Sequence, residues 1–131
     1  KMSKSYTNML NIFLDDKKLR KQIMSIKTDS TNIEDPKDYN SCNVFNLYKL
    51  LANKNQVNEL KSKYISGGYG YGNAKQELFE LICINYKSQR EMFMHLIQNP
   101  QIIDQELEEG AKKAREIARN VLVRVRKNIG Y

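Results

Sequence analysis

The first five residues of the chain combine two cations and two hydroxyls in one short stretch. Lys1 and Lys4 carry the ammonium groups, Ser3 and Ser5 carry the hydroxyls, and Met2 lies between them. Ammonium groups placed against phosphate oxygens can stabilise the charge that grows on a leaving pyrophosphate in a transition state. Two lysines near a chain end are in general simply solvated, so this spacing alone leaves both interpretations open.

A glycine-rich stretch, SGGYGYGNAK at residues 66–75, is the second candidate. It matches a phosphate-binding loop poorly, because no predicted strand precedes it and Gln76 stands where such a loop carries Ser or Thr. The first interpretation is a tight connection between helices in which the tyrosines pack. The alternative is an RNA contact in which Tyr69 and Tyr71 offer ring faces to unpaired bases and Lys75 adds a charge.

The last 22 residues carry a third candidate, a basic helix face. From residue 110 to residue 131 there are seven Lys or Arg and one acid, Glu116. At about 100° per residue four cations share one arc, next to an apolar arc that we expect to be core. The four cations are Lys112, Arg115, Arg119 and Arg126. Such a stripe can follow a phosphate backbone, although a solvated face explains it equally well.

Metal and thiol chemistry have little support. His95 is the only histidine, and Cys42 and Cys83 show no metal-ligand spacing. We expect both thiols to be free and buried, which fits a reducing cytoplasm. A loose acidic set is expected to serve turns and helix caps, and no protein-bound metal is predicted. This set comprises Asp29, Glu34, Asp35 and Asp38.

Composition restricts the class of protein. The chain has 131 residues, a formal net charge of +7 and 40% hydrophobic residues, as expected of one basic globular domain. The charge favours an anionic partner such as nucleic acid. No apolar run approaches the roughly 20 residues that span a bilayer, and no signal-peptide pattern is present.

The apolar periodicity predicts an all-α helical bundle of five to six helices. We expect helices at about residues 16–27, from a Ser41 cap to residue 51, and at 55–65. A long helix should follow Gly72 and end before Pro100, after which Gly110 should separate an acidic helix from a basic one. A short extended piece is expected at residues 10–14. One core should contain Leu78, Ile82, Phe93, Val121 and Val125.

The letters KMSKS resemble the second ATP-binding signature of class I aminoacyl-tRNA synthetases. Later stretches resemble the tryptophanyl-tRNA synthetase family more than its tyrosine relative. They are TDST at 28–31, EDPKD at 34–38, VFNLYKL at 44–50, GGYGYGNAK at 67–75 and EGAKKAR at 109–115. The resemblance thus runs along essentially the whole chain.

This resemblance implies an ATP-site loop in residues 1–15 and a helical anticodon-binding domain in residues 16–131. Lys1 and Lys4 would neutralise the pyrophosphate, Met2 would lie near the adenine, and Ser3 and Ser5 would hold the loop or the phosphates. ATP with Mg²⁺, tryptophan and tRNA(Trp) are the implied ligands, and the intact enzyme would be a cytoplasmic homodimer. The dinucleotide-fold half, with a His-x-Gly-His motif and the tryptophan pocket, is expected to lie outside this chain.

Three alternatives remain open on the sequence alone. A fragment of a tyrosyl-type synthetase shares the signature. A stand-alone helical RNA-binding module explains the basic last helix but leaves KMSKS without a role. A structural interaction domain explains only the periodicities. The sequence immediately upstream would discriminate, because a synthetase requires alternating strands and helices there.

Overall fold

The computed structural model describes residue 6 and residues 8–130, and every regular element in these residues is an α-helix. The six helices are α1 (Asp16–Met24), α2 (Asn43–Leu51), α3 (Lys54–Ser66), α4 (Tyr71–Asn85), α5 (Lys87–Gln98) and α6 (Pro100–Asn128). The predicted all-α class is therefore confirmed.

Local side-chain signals start several of these helices. The Asp15 carboxylate accepts from the Lys18 N–H at 2.9 Å and caps α1. Asn53 and Gln56 form a reciprocal capping box at the start of α3. Pro100 occupies the first turn of α6, where its missing N–H needs no partner.

Helix α4 is the centre of the hydrophobic core. It packs against α1 and α2, and α2 also contacts α3. Apolar residues at helical spacing on all four helices provide the buried side chains. They are Leu19, Ile23, Val44, Phe45, Tyr48, Leu60, Tyr64, Ala74, Leu78, Leu81 and Ile82, together with Cys42.

Residues 10–14 form a turn and not the extended piece that their alternation predicts. The Leu14 N–H donates to the Asn11 carbonyl at 3.3 Å. The Arg90 guanidinium donates to the carbonyls of Ile12 and Leu14 at 2.8 and 3.1 Å, and it also pairs with the Asp16 carboxylate. The turn therefore combines a local bond, in which the Phe13 N–H donates to the Asn11 side chain at 3.1 Å, with a long-range cation that satisfies its carbonyls.

Three predicted helix boundaries are wrong. Ser41 donates to the Asp38 carboxylate at 2.7 Å, so Cys42 becomes the N-cap of α2 without a side-chain cap bond. The long helix after Gly72 breaks at Tyr86, beside an Asn85 side chain that donates to the Leu51 carbonyl at 3.0 Å. Helix α6 runs through Gly110, because a helix can absorb the cost of about 1 kcal/mol for one internal glycine among strong helix formers.

The chain divides into two compact units, the first ending at Arg90 and the second beginning at Glu91. The second unit has no buried side chain in α5 or α6. Phe93, Val121 and Val125 are 37–47% exposed, so their predicted place in one core with Leu78 and Ile82 is wrong. The expected burial of the α6 apolar arc is also wrong, since periodicity selects an apolar face but does not supply what covers it.

Truncation of a core side chain on α4 should show how strongly the first unit depends on this packing. Ile82 is 2% exposed, and Ile82→Ala should lower the free energy of unfolding by about 2–5 kcal/mol because it removes buried methyl groups and leaves a cavity. Ile84, on the same helix, is 73% exposed and provides the matched control. Ile84→Ala should change stability by less than about 0.5 kcal/mol in urea titrations followed by circular dichroism. Similar losses in both variants would contradict the assigned core.

Within the part of the chain that the structure describes, none of the helices combines the length and apolar character needed to cross a membrane.

Candidate functional site

The predicted ATP-site residues Lys1, Met2, Ser3, Lys4 and Ser5 lie outside the described residues. Their assignment as a phosphate-binding loop stays a prediction. The geometry below concerns the other two candidates and the loop at residues 28–38.

Backbone hydrogen bonds join the 28–38 loop to the end of α3 and to the connection between α3 and α4. The Gly68 N–H donates to the Ile33 carbonyl at 2.9 Å, and the Lys37 N–H donates to the Tyr64 carbonyl at 2.8 Å. Gly67 has φ +73° and ψ −179°, a conformation that essentially only glycine adopts. A Cβ at Gly67 would overlap the Glu34 carbonyl oxygen. The backbone at Gly67 therefore lies so close to the backbone at Glu34 that only a residue without a Cβ fits there.

A buried lysine, Lys37, binds the carbonyls of the 28–38 loop where it meets the connection between α3 and α4. Lys37 is 4% exposed, and its ammonium donates to the carbonyls of Asn32, Ile33 and Asp35 at 2.9, 3.1 and 3.1 Å. The same ammonium lies 5.4 Å from the centroid of the Tyr71 ring. Three acceptors satisfy all three N–H donors, which is the condition under which a buried cation is tolerated. No local pattern indicates the burial of Lys37, since a lysine after proline between acids is typical of a solvated loop.

The two candidate RNA-reading tyrosines both pack against Tyr64 in the core. The ring centroid of Tyr64 lies 6.2 Å from that of Tyr69 and 6.0 Å from that of Tyr71. Burial raises the pKa of Tyr71 to about 12, with a further contribution from its hydroxyl donating to the Asp29 carboxylate at 2.8 Å. Burial likewise raises the pKa of Tyr69. This arrangement supports the interhelical packing interpretation, and their contact with RNA stays a prediction.

Lys75 also has a contact inside the first unit. Its ammonium donates at 3.1 Å to the carbonyl of Met24, the last residue of α1. A cation at the end of a helix satisfies a carbonyl that lacks an intrahelical donor and interacts favourably with the helix dipole. Lys75 therefore joins α4 to α1, and a role in RNA binding for this residue stays a prediction.

The predicted cationic stripe lies on the exposed surface of α6. Lys112, Arg115, Arg119 and Arg126 are all exposed, and Lys112 pairs with Glu108 at 3.1 Å across one helical turn. Helical spacing places them along one side of the same helix. The guanidinium groups are therefore accessible to an anionic partner, and their contact with tRNA stays a prediction.

Two of the four acidic loop residues, Asp29 and Asp38, hold turns, as predicted. The Asp29 carboxylate accepts from the Thr31 N–H at 3.0 Å, and the Asp38 carboxylate accepts from the Asn40 N–H at 2.9 Å. The Ser41 hydroxyl, donating to Asp38, is the main cause of the lowered pKa of that carboxyl. In the described part of the chain no three His, Cys, Asp or Glu side chains form a group that could hold a metal ion. Cys42 is a free buried thiol and Cys83 a free, partly buried one.

The family model for class I tRNA synthetases of the W and Y type matches residues 1–86. The chain therefore belongs to this family of class I tRNA synthetases. The predicted family resemblance is confirmed.

Individual relatives narrow the resemblance to the tryptophan enzymes. Over 130 residues the chain is 44% identical to the tryptophan–tRNA ligase of Campylobacter jejuni and 42% identical to that of Fusobacterium nucleatum. These alignments cover 99% of this chain but only 41% and 40% of the relatives, so the chain spans about two fifths of their length. A crystal structure of the Campylobacter jejuni tryptophanyl-tRNA synthetase complexed with ADP and tryptophan superposes with a TM-score of 0.93. It covers 100% of this chain and 41% of that one.

Proposed function

We propose that this sequence forms the ATP-loop and helical region of a tryptophan–tRNA ligase. One observation carries the proposal: 44% identity to a tryptophan–tRNA ligase extends over 99% of the chain, including the KMSKS residues. The proposed reaction joins the tryptophan carboxylate to the α-phosphate of ATP and releases pyrophosphate. The enzyme then transfers tryptophan from the adenylate to the 3′ end of tRNA(Trp), and AMP leaves.

Residues 1–5 act on ATP in this proposal. The Lys1 and Lys4 ammonium groups stabilise the negative charge that develops on the leaving pyrophosphate, and this stabilisation is larger in the transition state than in the bound substrate. Ser3 and Ser5 donate to phosphate oxygens or hold the loop, and Met2 lies against the adenine. ATP would arrive as its Mg²⁺ complex, and the ion would supply further positive charge to the phosphates.

The helical region, residues 16–131, receives the anticodon end of tRNA(Trp), whereas residues 1–15 belong with the catalytic half. We propose that the complete enzyme works as a homodimer in the cytoplasm. The net charge of +7 supports a polyanionic partner.

The test of this function uses a full-length protein that carries these residues. Tryptophan should stimulate ATP–pyrophosphate exchange, and tyrosine at equal concentration should not. The 131-residue chain alone should show no exchange, because the tryptophan pocket is expected outside it. Exchange that depends on tyrosine, or no exchange with any amino acid, would refute the proposed function.

The α6 stripe provides a prediction about tRNA binding. Arg115→Gln combined with Arg119→Gln should weaken tRNA binding and make the dependence of log affinity on log salt shallower by about one unit per lost phosphate contact. The preferred tRNA should not change, because phosphate contacts position the RNA while base contacts specify it. Glutamine keeps the aliphatic stem and the helix propensity, so the thermal midpoint should stay constant.

Filter binding or fluorescence anisotropy over a salt series measures both quantities. A Lys17→Gln, Lys21→Gln variant on α1 removes the same charge at the same spacing and serves as the control. If the arginine variant binds with the affinity and salt slope of the unmodified protein, the stripe is a solvated face.

A further inference from the structure

A small cleft lies where α2 ends and α3 begins. It has a volume of about 290 Å³. Its lining consists of Lys49, Ala52, Lys54, Val57 and Asn58. Pockets that hold drug-sized ligands have volumes of about 300–1,000 Å³, so this cleft is smaller than such pockets. The cleft is therefore suited to one small group and not to a whole cofactor.

The lining of the cleft includes two lysines that form no ion pair within the described residues. Lys49 and Lys54 are exposed, and neither forms an ion pair with any residue that the structure describes. Lys63, on the same helix as Lys54, differs in this respect. It pairs with Glu59 at 3.1 Å and with Glu77 at 2.8 Å, so its charge is neutralised within the fold.

A capping box fixes the start of α3, next to Lys54. The Asn53 side chain accepts from the Gln56 N–H at 3.0 Å, and the Gln56 side chain accepts from the Asn53 N–H at 2.9 Å. This capping box determines where α3 begins and hence where Lys54 projects. Ala52 and Val57 pack against the hydrophobic core, so the cleft has an apolar floor that does not compete for the ammonium groups.

One side of α3, on which Lys61 is half-buried, extends the same chemistry beyond the cleft. Lys54, Asn58 and Lys61 are spaced by four and three residues and share one side of the helix. The Lys61 ammonium lies 4.6 Å from the centroid of the Tyr39 ring. Glu59, the only acid of α3, is about 140° from Lys54 around the helix and pairs with Lys63. The face therefore presents a cation, an amide and a second cation in a row.

We propose that this cleft binds a phosphate group through the Lys49 and Lys54 ammonium groups and the Asn58 side-chain amide. All three side chains supply N–H donors, and a phosphate oxygen is an acceptor. This inference rests on the proposed function for the source of the phosphate, which is the RNA backbone. The row along α3 then follows the next phosphate of the same strand. Free phosphate presents the same chemistry, and the experiment distinguishes the two sources.

The experiment compares three variants of the 131-residue chain in tRNA binding over a salt series. Lys49→Gln with Lys54→Gln removes both charges of the cleft, and Lys49→Arg with Lys54→Arg keeps them. The Lys17→Gln, Lys21→Gln pair on α1 is the control for overall charge. The cleft variant should bind tRNA at least about fivefold more weakly with a salt slope shallower by about one to two. The arginine variant should keep most of the affinity, and the control should stay within about twofold of the unmodified chain.

Titration of the ¹⁵N-labelled chain with inorganic phosphate forms the second arm. Saturable shifts confined to the amides around Lys49, Lys54 and Asn58, lost in the glutamine variant, would support a phosphate site even if the unmodified chain failed to bind tRNA. In that case the proposed tRNA contact would fail and the phosphate site would remain. If the cleft and control variants lost tRNA affinity equally, or if phosphate produced no saturable shift in a chain that bound no tRNA, the inference would be overturned.

Discussion

Gly67→Ala should lower the free energy of unfolding of this chain by about 4–6 kcal/mol, the largest stability change expected from a single methyl group here. Two effects add. The backbone conformation, φ +73° and ψ −179°, is strained for any residue with a Cβ. The new methyl group would also overlap the Glu34 carbonyl oxygen, and that carbonyl lies in a loop that cannot retreat easily.

Hydrogen bonds on both sides of Glu34 keep the 28–38 loop from moving away from Gly67. Gly68 donates to the Ile33 carbonyl on one side of Glu34, and the Lys37 ammonium is bonded to the carbonyls on both sides. Moving Glu34 away from a methyl group would break bonds to a buried cation, and an uncompensated buried charge is costly. The overpacking part of the loss should therefore lie near the upper end of its range, about 3 kcal/mol, and the backbone strain adds to it.

Gly68→Ala is the matched control for this prediction. Gly68 has the same φ of +73°, but nothing lies within 4 Å of the position of its Cβ. The control should lose only about 1–2 kcal/mol, the cost of a left-handed backbone conformation for a residue with a side chain. Urea denaturation of both variants, followed by circular dichroism, measures the difference. Equal losses would show that strain alone acts and that the 28–38 loop moves freely.

Lys4→Ala should slow adenylate formation by roughly 10²–10³-fold in a full-length protein that carries this sequence. This prediction depends on the proposed function. The reason is that the Lys4 ammonium is proposed to meet the pyrophosphate when its negative charge increases, so its loss affects the transition state more than the bound ATP. The affinity for tryptophan should barely change, because the amino acid pocket is expected elsewhere in the protein.

Single-turnover formation of the adenylate, together with tryptophan-dependent pyrophosphate exchange, measures the effect. Lys17→Ala removes an exposed lysine of α1 and is the control, with an expected change of less than about twofold. Exchange at the rate of the unmodified protein in Lys4→Ala would remove Lys4 from the mechanism. A loss that appeared mainly as weaker ATP binding would instead indicate a ground-state contact.

Much of the fold follows from short-range patterns in the sequence. Asp15 and Pro100 mark helix starts that the structure confirms, since a cap or an N-terminal proline acts on groups within one turn. Periodicity also identifies the inward faces of the first four helices, including Leu19, Ile23 and Leu78. The five letters KMSKS, with the later motifs, identify the family through residue identity, although the structure describes none of those five residues.

Only the tertiary structure decided features that depend on residues distant along the chain. The carbonyls of the turn at residues 10–14 accept hydrogen bonds from Arg90, some 76 to 78 positions away. The break at Tyr86 lies beside a side chain bonded to Leu51, and the burial of Lys37 depends on the carbonyl groups of its folded loop. The apolar arc of α6 shows the same limit, because a helical pattern fixes which side chains share a face but not whether anything packs on it. Local free energies are encoded in neighbouring residues, whereas burial and long-range hydrogen bonds depend on which segments meet in the folded chain.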